Sequence, residues 1–319
     1  MVLLAIYLSS FTFHSHFRDQ LLGVFETVQA LIAVGIVIAA ASMAMQVGQL
    51  GILTAGALSL LLGFGGYALA TTKGTRELRY RNFFYYSTLG LVFVVTGTGL
   101  LFPLVWAAVI WAAMAVMMAW FSGRTGWVSL SLQCTFLLLA AGIGSGLLVA
   151  GLRALAGDPS SGWPVFMWSH VGIAVATIAC LFIPVAQKSE RWGVLAGLPQ
   201  LVVLALSVWE VGGLVVTYGA LLLVGEDGAG INRAALASLR TAVLSIASVS
   251  LALSSRHWRW PEARWLVYPV LVLVGIKLFL EDFPHGQPAT LFVSLAFVGT
   301  ALLLVGPLLK RVDRPSEVS

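Results

Sequence analysis

Along this chain the polar residues fall in short clusters and the apolar residues in long, unbroken runs. Ten runs come near or exceed the ~20 residues a helix needs to cross a hydrocarbon core. They are 21–46, 51–71, 83–102, 104–121, 127–152, 165–186, 194–224, 234–254, 265–281 and 289–309. The runs are continuous and do not alternate, which predicts helices and not the strands of a membrane barrel. The expected fold is all-α, a polytopic transmembrane helical bundle of about 10 spans. It forms a single integral membrane domain over 1–319. Run 194–224 is long, and Pro199 either kinks it or marks its true start. Residues 1–20 read as a partial or interfacial N-terminal helix, or as the tail of a longer span beginning outside this chain. The apolar stretch Met1–Phe13 would cover only about 20 Å as helix. No basic residue precedes it and no small-residue cleavage site follows, so no cleavable signal is expected.

The charges between the runs test this count. With the loop Lys73–Arg81 in the cytoplasm and strict alternation from there, the inner loops collect 14 of the 18 basic residues. Only Arg153 and Arg233 fall outside, while Arg240 and Lys277 lie within spans. Such a bias predicts both termini in the cytoplasm. One missed or extra span would scramble it. Trp120, Trp127, Trp163, Trp168, Trp192, Trp258, Trp260 and Trp265 fall at run ends, where indole rings anchor at headgroup level. The connection Arg153–Pro164 separates two sets of five runs, 21–152 and 165–309. Two halves with an odd number of spans have opposite orientation, as in inverted repeats, though no residue-level repeat is visible.

Composition removes the other classes. Hydrophobic residues make up 59% and charged residues 10% of the 319, against about 25% charged in soluble domains. A cytosolic enzyme, a disordered chain and a nucleic-acid-binding domain are excluded. The net charge of +5 is spent in short loops facing anionic headgroups, so the lipid bilayer is the expected partner and nucleic acid is not. Cys134 and Cys180 both lie in apolar runs and read as inert packing residues. Two cysteines exclude a disulfide framework and a cysteine-based zinc site.

Chemical motifs are missing. Gly63-Phe64-Gly65 and Gly142-Ile143-Gly144 neither follow a strand nor precede Lys-Ser or Lys-Thr, so they are not nucleotide loops. Gly142 and Gly146, and likewise Gly193 and Gly197, have the spacing that lets helices approach closely. His14 and His16 would point apart on a helix, with no third ligand near. No catalytic residue, metal site or cofactor is expected.

The remaining candidates are ionisable residues inside the spans, which cost about 2.5–3.5 kcal/mol each on insertion scales. Glu26 lies about one turn inside the first run and reads as solvated or packed. Alternation brings His170, Glu210, Arg240, Lys277, Glu281, Asp282 and His285 towards the outer half, where they would form one polar cluster. Two readings compete. One is a substrate or ion site open to the outer face. The other, favoured on sequence, is a structural Glu210–Arg240 pair with Lys277 snorkelling to the headgroups. Asp282–Pro288 reads as an ordered outer turn fixed by two prolines.

Asn232-Arg233, Ser238-Leu239-Arg240-Thr241, the following basic loop, Gly275-Ile276-Lys277-Leu278-Phe279-Leu280-Glu281-Asp282 and the closing Lys310-Arg311 form a recognisable ending. It resembles the C-terminal helices of large, uncharacterised multi-pass bacterial membrane proteins, over less than a third of the chain. The resemblance implies a bacterial inner-membrane setting and no mechanism. In outline only, size and span number also resemble drug/metabolite-type exporters.

Three functions follow as expectations. The leading one is a non-catalytic membrane subunit or scaffold that co-purifies with other membrane subunits. The alternatives are a secondary transporter or permease for a small solute with Glu210 carrying a proton, and a haem- or quinone-binding electron-transfer subunit with His170 as ligand.

Overall fold

The computed structural model describes residues 48–70, 76–158, 163–183, 197–222, 232–258 and 260–310, together with Ile32, Gly35, Ile36, Ala39 and Met43. Glu26, the N-terminal segment and most of run 21–46 lie outside the described residues, as do the side chains of the Lys73–Arg81 loop and of His285. Every regular element among the described residues is helical. The chain packs as two units, Met1–Trp111 and Ala112–Ser319.

In the first unit, α1 (Gln49–Ala70) lies against α2 (Arg76–Leu101). Their backbones meet at glycines. A Cβ on Gly66 would stand 3.1 Å from the Gly90 Cα, and one on Gly90 2.9 Å from the Gly63 carbonyl oxygen. Gly63 of the rejected loop motif is therefore a packing residue. Thr98 Oγ1 donates to the Val94 carbonyl and accepts from Trp111 Nε1 at 2.7 Å.

The remaining elements are α3 (Leu104–Thr125), α4 (Val128–Gly144), α5 (Leu147–Ala156), α6 (Trp168–Phe182), α7 (Leu198–Leu221), α8 (Arg233–His257), α9 (Pro261–Lys277) and α10 (Pro288–Lys310). A π-helical segment, Leu278–Asp282, and a single turn, Phe283–His285, join the last two. Helix α8 packs against α7, α9 and α10, and α7 also carries α4, α5 and α6. Asn232 caps α8 by accepting from the amides of Ala234 and Ala235. Pro199 sits in the first turn of α7, so it marks the start of that helix, where its missing N–H costs nothing.

Among the described residues, six helices are long and apolar enough to cross a bilayer: α1, α3, α7, α8, α10, and α9 with its π-helical extension. The apolar part of α2, Tyr86–Leu101, and α6 are shorter. Run 127–152 is not one straight span, as the unbroken apolar pattern suggests. It breaks between α4 and α5, which meet at 70° and would make a seventh crossing if counted together.

Candidate functional site

The break sits at Ser145-Gly146. Gly146 takes φ +78°, a left-handed conformation that a side chain would strain. Gly142 lies against Leu148 across the bend, so this glycine pair turns the chain and does not bring in a second helix. His170 of α6 holds the break. Its Nδ1 accepts from the Met167 amide at 3.1 Å, which leaves the proton of the neutral ring on Nε2. Nε2 then donates to the Ser145 carbonyl at 2.9 Å. Both ring nitrogens are engaged in hydrogen bonds. Trp209 Nε1 donates to the Leu148 carbonyl at 3.0 Å. One turn further along α7, a Cβ on Gly213 would lie 2.7 Å from the Gly151 Cα, so α5 and α7 cross almost backbone to backbone.

Helix α5 ends at Ala156, leaving its last carbonyls without intrahelical donors. Arg240 of α8 fills that role. Its Nε donates to the Ala154 carbonyl at 2.7 Å, and Nη2 to the carbonyls of Gly157 at 2.6 Å and Arg153 at 3.4 Å. Nη1 donates to Glu281 Oε1 at 2.6 Å. The guanidinium is buried and places its charge at the negative end of the α5 dipole. It also lies 5.9 Å from the centre of the Trp163 ring. Lys277 Nζ donates to the other oxygen, Glu281 Oε2. Beside them Thr241 Oγ1 donates to Asp282 Oδ2 at 2.8 Å, while Asp282 Oδ1 is buried with no hydrogen-bond partner among the described residues. The wide π turn lets consecutive acids, Glu281 and Asp282, meet consecutive residues of α8, Arg240 and Thr241. These residues form a clamp in which Glu281 bridges two basic side chains, Arg240 and Lys277, and Thr241 holds Asp282 beside them.

Two expectations are corrected here. Arg240 does not pair with Glu210; the two residues share a depth in the sequence count, but Arg240 faces α5 and the π turn. Lys277 does not snorkel, because its side chain is 10% exposed and tied to Glu281. Of the seven candidates, Arg240, Lys277 and Glu281 come together, and Asp282 lies beside them on Thr241. His170 serves the break. The three carbonyls that take up Arg240 carry no residue signature in the sequence; the Gly157 that ends α5 and the cation-accepting helix end were the only available signals.

Glu210 stands apart from the clamp's bonding. It lies near the middle of α7, is fully buried, and neither carboxyl oxygen has a hydrogen-bond partner among the described residues. Thr177 of α6 lies beside it, but its hydroxyl donates to the Ile173 carbonyl. Two more buried hydroxyls, Thr217 on α7 and Ser245 on α8, are also unpartnered among the described residues. No protein-family model, curated protein or solved structure matches this chain.

Proposed function

We propose that this is a multi-pass membrane protein of ten crossings with both ends in the cytoplasm, acting as a secondary transporter for a small solute, with Glu210 as its proton-carrying group. The 14-to-2 partition of basic residues supports the crossing count and orientation. It also supports, with the C-terminal resemblance, a bacterial inner-membrane setting.

The observation that carries the transport reading is Glu210 itself. A carboxylate there would sit in a low-dielectric interior with no hydrogen bond or ion pair to it among the described residues. A neutral acid avoids that cost, and the lone pairs of Thr177 can accept from it. Arg240, the partner expected for Glu210, is bonded elsewhere. The broken α4–α5 span packs on α7 one turn from Glu210. Discontinuous helices beside a mid-membrane acid are the parts from which transporter sites are built. The hydroxyls of Thr217 on α7 and Ser245 on α8, unpartnered among the described residues, are further polar groups in the buried interior.

Everted membrane vesicles test this. Respiration sets an acidic interior, a fluorescent amine reports the gradient, and small amines, amino acids and organic acids are added in turn. A solute that collapses the gradient with the wild-type chain, but not with Glu210→Gln, is the expected result. Collapse of equal size in Glu210→Gln, or no collapse by any solute in the wild type, would overturn the reading.

A further inference from the structure

The chain has two cysteines, and they meet. Cys134 is in the second turn of α4 and Cys180 is near the end of α6. Their thiols lie within hydrogen-bonding reach of each other. Both are reduced and buried, 3% and 5% exposed. They line a small, mostly apolar cavity of about 20 Å³, whose wall also includes Ser131, Thr135 and Gln200. That is room for a water-sized guest and no more. The packing role expected for these cysteines explains their burial. It does not explain why both cysteines line one cavity.

We propose that Cys134 and Cys180 form a two-sulfur binding site for a soft monovalent cation, copper(I) by chemical class. Thiolate sulfur selects copper(I) among the biological metals. Zinc asks for four ligands or three with a water, and no group of three His, Cys, Asp or Glu side chains is placed for a metal among the described residues. Charge favours the same ion. One sulfur binds as thiolate and the other as neutral thiol, so a single proton leaves to solvent and the filled site carries no net charge. Copper remains in the +1 state and no electron moves. Burial shuts out a protein thiol or another bulky disulfide-exchange partner, while a bare ion fits the cavity. The inference stands independently of the transport reading.

The test uses the purified full-length chain in detergent, under anaerobic conditions with ascorbate as reductant. Copper(I) is supplied from a coloured chelator that competes for it. One copper per chain is expected, with a sulfur-to-copper charge-transfer band in the ultraviolet. Cys134→Ala and Cys180→Ala should each weaken retention by about tenfold or more. Silver(I), supplied without ascorbate so that it stays in the +1 state, should raise the unfolding temperature of the wild type and not of the double variant. That measurement keeps the proposal testable if a single variant folds poorly. Copper retained equally by the double variant would overturn the site. So would a wild-type chain that takes up no copper and instead loses two hydrogens on mild oxidation, which would make the pair a disulfide switch.

Discussion

Arg240 Nη1 lies 2.6 Å from Glu281 Oε1, and through that contact the end of α5 is bound to the π turn that follows α9. One guanidinium satisfies three backbone carbonyls and one carboxylate in four directions. Only a planar fork of donors does this; the point charge of a lysine cannot. The Arg153 carbonyl keeps the Gly157 amide, but Arg240→Ala would leave the Ala154 and Gly157 carbonyls and Glu281 without this donor, and a loss of about 3 kcal/mol is expected. Arg240→Lys should recover less than half of it. Thermal unfolding in detergent, followed by tryptophan fluorescence, reads both. An Arg240→Ala chain that unfolds with the wild type would show that the clamp holds nothing.

Glu210 gives the opposite expectation. An amide replaces the neutral acid at nearly the same volume and leaves no countercharge behind. Glu210→Gln should therefore stay within about 1 kcal/mol of the wild type. Had Glu210 been ionised and paired, the same change would cost about 3–5 kcal/mol. Glu210→Ala should cost more than Glu210→Gln, because it opens a cavity at a fully buried site. Equal unfolding temperatures for the two variants would mean that the side chain is not packed as described.

The two sites were unequally legible in the sequence. Lipid demands continuous apolarity, so the runs that became α1, α3, α7, α8 and α10 were visible by inspection. Position along a run was also legible, and the count put Glu210 and Arg240 at one level. Direction around the helix was not. Arg240 turns to α5 because carbonyls are free there, and backbone groups leave no mark in residue identity. The π turn at Leu278–Asp282 adds to a register that an ideal helical count gets wrong. The break at Ser145-Gly146 was hidden because Ile143 and Leu147 on either side are as apolar as the rest of the run.

At that break, His170 and Gly146 should contribute separately. His170→Ala removes the donor to the Ser145 carbonyl and the acceptor for the Met167 amide, at a cost of roughly 1–3 kcal/mol. Gly146→Ala forces a side chain into a left-handed backbone, for about 1–2 kcal/mol. Gly146→Asn should cost less, since asparagine tolerates that region. Chemical unfolding in mild detergent orders the three.

The α1–α2 crossing separates glycines that matter from glycines that do not, within one short stretch. Gly66 faces the Gly90 backbone at 3.1 Å from a would-be Cβ, while nothing lies within 4 Å of the corresponding position on Gly65. Backbone cannot step aside as a side-chain tip can, so a methyl on Gly66 or Gly90 must push the helices apart. Gly66→Ala and Gly90→Ala are each expected to cost about 1–3 kcal/mol. Gly65→Ala should be neutral or stabilising by a few tenths of a kcal/mol, through better helix propensity alone. A disulfide-free readout is available in the Trp111–Thr98 contact of the same unit. Trp111 fluorescence should shift in the Gly66 and Gly90 variants and stay put in Gly65→Ala. A shift of equal size in all three would mean that the crossing is not held by close backbone contact.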